Sequence, residues 1–367
     1  MANIKVSLCG KELKNPFILG SGPLSYSGEA LVRAFKAGAG AATTKTLRLK
    51  PADNPYPHMV MSAPGTLINA EKWADLTAEQ WITQEIPYAK SKGVVVIASV
   101  GHTPEEARAL VEGVEEAGAD FIELVSYTED TMVPMIEETK KRTSVPVLAK
   151  LSPNWPDIVS AAGRCLEAGA DALTVADSFG PVLRLDIRTA HPLLGSPRGW
   201  GWLTGAALKP ITLRCVAEIA LAFRPTVVGL GGVMDASDAL EMLLAGASAV
   251  GICTAAILKG LKVFQELNQG LNTLLDELGY PTVSSASGRA LPYLREEEDQ
   301  DKLKFSYDPE KCNLCLLCVT RCPYQARNLT PDKVMSLDET KCRYCGFCVS
   351  LCRRRALTSD RLSGPAY

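Results

Sequence analysis

The stretch Ala117-Gly118-Ala119-Asp120, followed at once by the apolar segment Phe121–Val125, is the pattern that decides the fold of most of this chain. It reads as a junction between a helix and a strand. Glycine at such a point is the left-handed residue that ends a helix, and small neighbours let the chain turn straight into a buried strand. The junction recurs at Ala168-Gly169-Ala170-Asp171 and Ala245-Gly246-Ala247-Ser248, and in shorter form at Ala37-Gly38-Ala39. This repetition predicts units in which helices alternate with parallel strands.

Eight short apolar segments follow one another at this rhythm, and we predict that each is a parallel strand buried on both faces. The predicted strands are Phe17–Gly20, Ala41–Lys45, Val94–Ser99, Phe121–Val125, Val147–Leu151, Leu173–Ala176, Thr226–Leu230 and Ala249–Ile252. Eight strand-helix units predict a (β/α)8 barrel, the TIM barrel, closed by a helix through Phe264, Leu267 and Leu271. A doubly wound sheet is the alternative, but no GxGxxG follows the first strand.

The C-terminal part carries eight cysteines in two runs with the same spacing, C-x2-C-x2-C-x3-C. This is the ligand pattern of ferredoxins with two [4Fe-4S] clusters, in which the fourth cysteine of each run ligates the other cluster. We therefore predict two [4Fe-4S] clusters. One is expected on Cys312, Cys315, Cys318 and Cys352, and the other on Cys342, Cys345, Cys348 and Cys322.

Zinc and disulfides are the alternative interpretations of these cysteines. A zinc ion needs only four ligands and would leave half of the thiols unused. Disulfides between cysteines three residues apart have poor geometry, and nothing in the sequence indicates export. The predicted domains are a barrel at 1–282, a linker at 283–305 that holds the charged run 295–302, and a small α+β ferredoxin-like domain at 306–367.

Composition limits the function classes. A length of 367 residues suits one large and one small domain, and 47% hydrophobic residues allow a real core. The net charge of -2 and the lack of a basic patch argue against a nucleic-acid-binding protein. No run approaches the ~18 apolar residues of a membrane span, and no signal peptide is visible, so we expect a cytoplasmic protein. The isolated Cys9, Cys165, Cys215 and Cys253 are expected to be small buried hydrophobes.

Three features converge at the predicted mouth of the barrel, where such barrels place their sites. Lys45 and Lys150 stand at ends of apolar strands, where a lysine needs an anionic or electron-rich partner. Glycine-rich turns follow the seventh and eighth strands, the usual place for a phosphate. The long loop 177–202 is expected to act as a lid or binding segment. Phosphate, mouth lysines and attached one-electron carriers together favour FMN.

The sequence resembles the dihydroorotate dehydrogenase-like FMN barrels, and among them the iron-sulfur branch formed by the PreA subunit and the C-terminal part of dihydropyrimidine dehydrogenase. The resemblance rests on Asn15-Pro16-Phe17, Lys45-Thr46, the segment 146–154, Leu203-Thr204-Gly205 and Gly231-Gly232, together with the cysteine runs. It implies oxidation or reduction of a C=C bond in a small ring, an electron-donor protein as partner, and a homodimer or hetero-oligomer. The FMN contacts that it implies, with their neighbours, are Ser21, Gly22, Lys45, Thr46, Lys150, Thr204, Gly205, Gly231, Gly232, Gly251 and Thr254.

The departures from this family concern the substrate. The family places a catalytic cysteine or serine after the fourth strand, and the segment 123–130 has no cysteine there. The candidates for its role are Tyr127, Ser126, Asp177 and His191. The predicted substrate contacts are Asn69, Asp75, Asp177 and Ser178. Since a carboxylate only accepts hydrogen bonds, aspartate in place of the family's asparagine favours a substrate that presents N-H, O-H or positive charge, and makes orotate or another pyrimidine unlikely.

Three functions remain open at this point. The first is a reductase whose electrons come from a ferredoxin or from a flavoprotein subunit with FAD and NAD(P)H, and pass through two clusters to FMN. The second uses the same cofactors as a dehydrogenase of a small dihydro-heterocycle. The third is an electron-transfer subunit whose barrel has lost its own chemistry.

Overall fold

The structure is a computed structural model that describes residues 2–294, 296–297, 301–332 and 334–362. The chain divides into two compact units, 1–294 and 295–367.

The first unit is a closed barrel of eight parallel strands, which confirms the predicted TIM barrel. We number these strands β1 to β8. They are β1 Phe17–Leu19, β2 Ala41–Thr43, β3 Val96–Gly101, β4 Phe121–Val125, β5 Val147–Leu151, β6 Ala172–Val175, β7 Val227–Leu230 and β8 Ala249–Ile252. Each strand pairs with its sequence neighbours, and β8 pairs with β1 to close the barrel.

Helices follow the strands in turn. Their bounds are Gly28–Lys36, Ala78–Gln80, Trp81–Glu85 (a π-helical turn), Ile86–Ser91, Pro104–Glu116, Glu129–Lys140, Ile158–Glu167, Lys209–Phe223, Ala236–Leu244, Thr254–Lys259 and Val263–Glu277. The junctions that predicted them are present, because Gly118, Gly169 and Gly246 all have positive φ just after a helix. The strands and the inner faces of these helices form one continuous apolar core.

A four-stranded antiparallel sheet lies beside the barrel strands. Its order is Phe179–Leu183, Trp200–Gly205, Thr66–Asn69 and Met59–Ala63. The loop 177–202 was expected to lack secondary structure, and this expectation was wrong, since both of its ends are strands of this sheet. Alternation along Trp200–Gly205, in which Gly201 is buried between exposed Trp200 and Trp202, is the strand signal that its glycines and tryptophans concealed.

The second unit contains two similar halves. Phe305–Tyr307 pairs with Leu357–Ser359, and Arg327–Leu329 pairs with Met335–Leu337, both antiparallel. The short helices Leu317–Thr320 and Phe347–Ser350 each carry the third cysteine of one run. The small α+β domain predicted from the cysteine spacing has this organisation.

The segment between the two parts differs from the expected linker. Residues 283–294 lie within the first unit, and they include the helix Val283–Ala286, whose two end residues are buried in the barrel core. In the charged run 295–302, Arg295 and residues 298–300 lie outside the described residues. Within the described part of the chain, no helix combines the length and apolar character needed to cross a bilayer.

Candidate active site and cluster-binding domain

A cavity of about 550 Å3 opens at the carboxyl ends of the barrel strands, which is a size typical of cofactor and ligand sites. Every barrel strand supplies at least one residue to its lining, from the loop that follows the strand. In strand order these residues include Ser21, Lys45, His102, Tyr127, Ser152, Asp177, Gly231 and Cys253. All the residues predicted to contact FMN line this one cavity, including Gly22, Thr46, Lys150, Thr204, Gly205, Gly232, Gly251 and Thr254.

One part of the cavity wall is backbone without side chains. Gly231 and Gly232 follow β7 with φ values of 119° and 89°, and Gly205 has a φ of 83°. A Cβ on Gly232 would lie 2.3 Å from the backbone nitrogen of Lys209, so no other residue fits there without movement. Backbone that carries no side chain lets a phosphate approach closely.

Lys45 follows β2 and forms an ion pair with Glu71, which follows the strand Thr66–Asn69. Both side chains are largely buried, with 8% and 13% of their surface exposed. The pair depends on the four-stranded antiparallel sheet, which we call the mouth sheet because its strands also line the cavity. This sheet carries Glu71 to the end of β2.

Lys150 lies on β5 and pairs with Asp177, whose Oδ1 is 3.4 Å from the lysine Nζ. Burial alone would lower the pKa of Lys150, but the carboxylates of Asp177 and Glu123 oppose burial and leave this pKa above its ordinary value. Lys150 is therefore protonated at neutral pH. Glu123 lies on β4, where burial raises its pKa and the Thr174 hydroxyl donates to it at 2.8 Å.

His102 follows β3 and stacks on Tyr127, with ring centroids 4.1 Å apart and an angle of 12° between the planes. His102 is only 8% exposed, and its buried Nδ1 has no hydrogen-bond partner among the described residues. Burial, with a smaller contribution from Arg48, lowers the pKa of His102 to about 4, so the ring is neutral at pH 7. Trp73 contacts the same imidazole edge-on.

The four predicted proton donors have different surroundings. Tyr127 lines the cavity with 64% of its surface exposed, and partial desolvation, with a smaller contribution from Asp177, raises the pKa of its phenol. Ser126 also lines it, but its hydroxyl is engaged with Thr128 and Thr131 in the turn that follows β4. Asp177 is held by Lys150. His191 is exposed and does not line the cavity.

The predicted substrate contacts divide in a similar way. Asn69 and Ser178 line the cavity, and the Asn69 amide donates to the backbone oxygen of Trp202 at 3.5 Å. Asp75 is exposed and does not line the cavity.

Sequence reasoning missed several residues of this cavity. Glu71 and His102 are the most important, and Trp73, Asn154 and Cys253 line it as well. His102 had a usable signal, because it stands three residues after a predicted strand, in the region where barrels place their functional residues. Glu71 had none, since its position depends on the pairing of Thr66–Asn69 with a strand more than 130 residues away.

The residues of the cavity fit FMN. The glycine turns can face its phosphate, and the buried Lys45 and Lys150 can face the electron-rich edge of its ring. Ser21 and Thr46, whose hydroxyl oxygens lie 3.4 Å apart, are available beside Lys45 as hydrogen-bonding groups.

The cysteines of the second unit line two cavities. One, of about 300 Å3, is lined by Cys312, Cys315, Cys318 and Cys352. The other, a narrow space, is lined by Cys322, Cys342, Cys345 and Cys348, with Cys318 also at its wall. The four cysteines that were predicted to share a cluster thus line the same cavity. Among the described residues, no group of three His, Cys, Asp or Glu side chains is placed to hold a single metal ion.

Arg327 gives an independent sign of an anionic occupant in the narrow cavity. It is 4% exposed, and its Nε and Nη2 have no hydrogen-bond partner among the described residues. Its guanidinium lies 4.9 Å from the Phe305 ring centroid and lines the cavity beside the cysteines. A buried charge without a partner is costly, and an iron-sulfur cluster held by thiolates carries the opposite charge. The residues of this unit therefore fit [4Fe-4S] clusters.

Comparison with known proteins identifies the family of the barrel and of the cysteine-rich part. The sequence model of the dihydroorotate dehydrogenase family matches residues 3–275, and that of the 4Fe-4S dicluster domain matches residues 304–353. The predictions of an FMN barrel and of an iron-sulfur domain are confirmed by these matches.

The curated relatives are similar to the barrel part. A dihydroorotate dehydrogenase B (NAD+) catalytic subunit from Methanothermobacter thermautotrophicus is 33% identical over 301 residues, which cover 78% of this chain and 98% of that protein. The protein of the same name from Pyrococcus abyssi is 33% identical over 301 residues, with 78% and 99% covered. The chain therefore belongs to the dihydroorotate dehydrogenase family, and it is an iron-sulfur flavoprotein oxidoreductase of the class that acts on CH-CH groups.

Proposed function

We propose that this protein reduces a C=C or C=N bond of a small unsaturated molecule, with electrons relayed from a ferredoxin or flavoprotein partner through two [4Fe-4S] clusters to FMN. Bound FMN would supply hydride chemistry and accept electrons one at a time. The observation that carries the proposal is the presence, in one chain, of a cavity with two buried lysines and of a domain with two cysteine-lined cavities.

Lys150 has the first role in this chemistry. Its raised pKa keeps it cationic, and it lines the cavity from near the carboxyl end of β5. A fixed ammonium at this place stabilises negative charge that develops on a bound ring during reduction. Asp177 holds the Lys150 side chain in position.

Tyr127 is the residue that we assign as proton donor. Its phenol lines the cavity, and its raised pKa keeps it protonated at neutral pH. The stacked His102 ring fixes the plane of the phenol. Ser126 is less suited, because its hydroxyl is committed to the turn that follows β4.

The partner is expected to be a separate protein. No nicotinamide-binding fingerprint appears in the sequence. The relatives are named as catalytic subunits, which implies a further subunit in those proteins, and we extend this arrangement to the present chain. We expect the protein to form a homodimer or hetero-oligomer. We place it in the cytoplasm, where reducing conditions keep the eight cluster cysteines from forming disulfides.

An anaerobic preparation tests the proposal. The absorbance spectrum, with iron and flavin determined per chain, should show one FMN and about eight irons, since each cubane holds four. Dithionite-reduced protein should then be reoxidised by at least one member of a panel of unsaturated heterocycles and acids. Protein without yellow chromophore or iron would overturn the cofactor assignment, and failure of the whole panel to reoxidise flavin would overturn the reductase.

The oxidative direction is the second candidate, and the names of the relatives, which are dehydrogenases, favour it. Reduction potentials separate the two directions. A reductase needs clusters with potentials below that of FMN, whereas a dehydrogenase needs clusters that accept electrons from reduced flavin. If ligands do not bind beside the flavin and neither direction turns over, the barrel serves only electron transfer.

A further inference from the structure

The two halves of the cysteine-rich unit build the same turn after the last cysteine of each run. In the first half the backbone nitrogen of Ala326 donates to the Sγ of Cys322 at 3.4 Å. In the second half the backbone nitrogen of Ala356 donates to the Sγ of Cys352 at 3.2 Å. The third residue after each of these cysteines has positive φ, 53° in the first half and 52° in the second. The two turns therefore share one backbone conformation.

The side chains on the two turns differ in charge. The first turn is Pro323-Tyr324-Gln325, which is neutral, and the second is Arg353-Arg354-Arg355, which we call the arginine turn. Because the neutral sequence folds into the same conformation, the backbone of the second half does not need three arginines. Their presence calls for a reason outside the local fold.

The arginine turn is a basic patch whose charges are not balanced nearby. All three side chains belong to exposed residues, and in the described part of the chain they form no ion pair and no hydrogen bond. Basic residues outnumber acidic ones over 304–362, although the whole chain has a net charge of -2. A surface that concentrates charge of one sign attracts partners of the opposite sign and speeds their encounter.

The arginine turn also borders one of the two cluster cavities. Arg353 and Arg354 line the cavity of about 300 Å3, together with the four cysteines expected to hold one cluster. No acidic residue lines it among the described residues. Cys315 in its wall is exposed, so the expected cluster lies close to the protein surface. A protein bound to the arginines would therefore lie beside a point where electrons can enter.

We propose that the arginine turn is the docking site of a small electron-carrier protein with an acidic surface. One electron passes from the reduced carrier to the cluster beside the turn, so that the carrier is oxidised, the cluster is reduced and no bond forms or breaks. A nucleic acid is also attracted by arginines, but the cysteine-lined cavity next to them favours a redox partner. This inference rests on the proposed function, because it names the partner of that same electron relay.

Titration calorimetry of the oxidised, cofactor-loaded full chain with an oxidised plant-type ferredoxin, an acidic [2Fe-2S] carrier, tests the inference. The test variant combines Arg353→Pro, Arg354→Tyr and Arg355→Gln, which places the neutral turn of the first half in the second. At about 0.01 M salt we expect this variant to bind the ferredoxin at least tenfold more weakly than the wild type. At about 1 M salt, where charges are screened beyond ~3 Å, the difference should fall below threefold.

A second variant guards against a local folding defect. It replaces all three arginines by glutamine and keeps the backbone N-H of residue 353, which donates to the Leu351 oxygen at 3.0 Å. The loss of affinity should be the same as in the first variant, and the iron content per chain should match that of the wild type. Wild-type affinity in this variant would overturn the inference.

The matched control removes the same amount of charge from the barrel. Lys36→Gln, Lys92→Gln and Lys262→Gln together neutralise three exposed lysines, and we expect less than a twofold change in affinity. An equal loss in the control and the turn variants would mean that only net charge matters, which overturns the docking site. Absence of ferredoxin binding to the wild type, or tighter binding of a short DNA duplex than of the ferredoxin, also overturns it.

Binding between oxidised proteins needs no turnover, and this separates the two proposals. If the ferredoxin binds through the arginine turn and no compound reoxidises the reduced protein, the docking site stands and the reductase fails. If compounds reoxidise the dithionite-reduced protein and the turn variants bind the ferredoxin as the wild type does, the reductase stands and the docking site fails.

Discussion

Tyr127 tests the assignment of the proton donor at the scale of a single residue. In Tyr127→Phe the ring remains to stack on His102, but the proton-bearing oxygen is lost. Because a positioned acid typically contributes 10² to 10⁴ in rate, we expect substrate reduction to slow by about 100-fold or more. FMN content and the rate of flavin reduction by dithionite should stay unchanged. Stopped-flow measurement of the two half-reactions checks this.

Ser126→Ala is the matched control for that variant. It removes a hydroxyl on the adjacent residue that is already engaged with Thr128 and Thr131, so it should affect folding more than chemistry. Normal turnover of Tyr127→Phe, or an equal loss in both variants, would remove Tyr127 from the mechanism.

His102 should make the stability of the barrel depend on pH. Burial, aided by Arg48, lowers the pKa of His102 from 6.5 to about 4, so between these values the unfolded chain binds a proton that the folded chain does not. The stabilisation is complete above pH 6.5 and is lost as the pH falls towards 4, on the order of 3 kcal/mol in total. In His102→Gln this loss should be absent.

Urea unfolding from pH 7.5 to 4.5 measures the difference between the two proteins. All five tryptophans precede residue 294, so tryptophan emission follows the barrel. Parallel pH curves for wild type and His102→Gln would show that the imidazole is not buried as described.

Arg327 should set the potential of the cluster expected in the narrow cavity. Its buried, unpartnered guanidinium stabilises the more negative reduced state, so Arg327→Met should lower that potential. We expect a change on the order of 60 mV, equal to a tenfold change in a one-electron equilibrium. Arg321→Met, which removes an exposed guanidinium from the same cavity wall, should have a smaller effect. A redox titration monitored by EPR measures the potential in both variants, with the other cluster as internal reference. An equal change in the two variants would contradict the special role of Arg327.

The sequence predicted the two lysines of the cavity, because the position of each follows from a single strand. It did not predict the carboxylates that pair with them. Lys45 and Lys150 were found because each ends or nearly ends an apolar strand. Their partners Glu71 and Asp177 sit after other strands, and only the closed barrel and the mouth sheet bring each pair together. Asp177 was expected at the substrate, yet its contact with Lys150 was not foreseen.

At the scale of elements, the glycine turns and the mouth sheet build the cavity wall. Gly205 ends the strand Trp200–Gly205 with a φ of 83°, and a Cβ there would lie 2.2 Å from the backbone oxygen of Gly65. The turn is thus required by sheet packing as well as by the space for a ligand. Apolar periodicity located the barrel strands, but it could not locate this sheet, because the sheet pairs Thr66–Asn69 with Trp200–Gly205, more than 130 residues away in sequence.

Gly205→Ala should destabilise the barrel and weaken FMN retention. Left-handed strain and the clash with Gly65 together cost on the order of 3 kcal/mol. Gly93→Ala is the matched control, because Gly93 has a similar φ of 79° but nothing within 4 Å of an added Cβ, so ~1 kcal/mol is expected. Urea unfolding and flavin absorbance per chain after gel filtration measure both effects. Equal losses in the two variants would contradict the packing argument.

At the scale of the whole molecule, the chain joins a family barrel to a separate cluster unit. The two relatives match this chain over nearly their whole lengths, 98% and 99%. The matched part is only 78% of this chain, so about a fifth of it has no counterpart in them. The spacing of the cysteines predicted the second unit directly. The boundary between the two units was harder to predict. The segment 284–288 consists of small and mostly polar residues, yet Val283 and Ala286 belong to the barrel core.

Truncation after residue 294 should leave a folded barrel that holds FMN but no iron. The fragment keeps the complete core and every residue that lines the barrel cavity, so its tryptophan-monitored unfolding should match that of the full chain. Dithionite should still reduce its flavin, whereas reduction by a reduced ferredoxin should slow at least tenfold, since the cluster relay is gone. Full-length Cys345→Ser, which removes one expected cluster ligand, is the control and should show the same slow reduction. A fragment that takes electrons from ferredoxin at the full rate would show that the clusters do not serve the flavin.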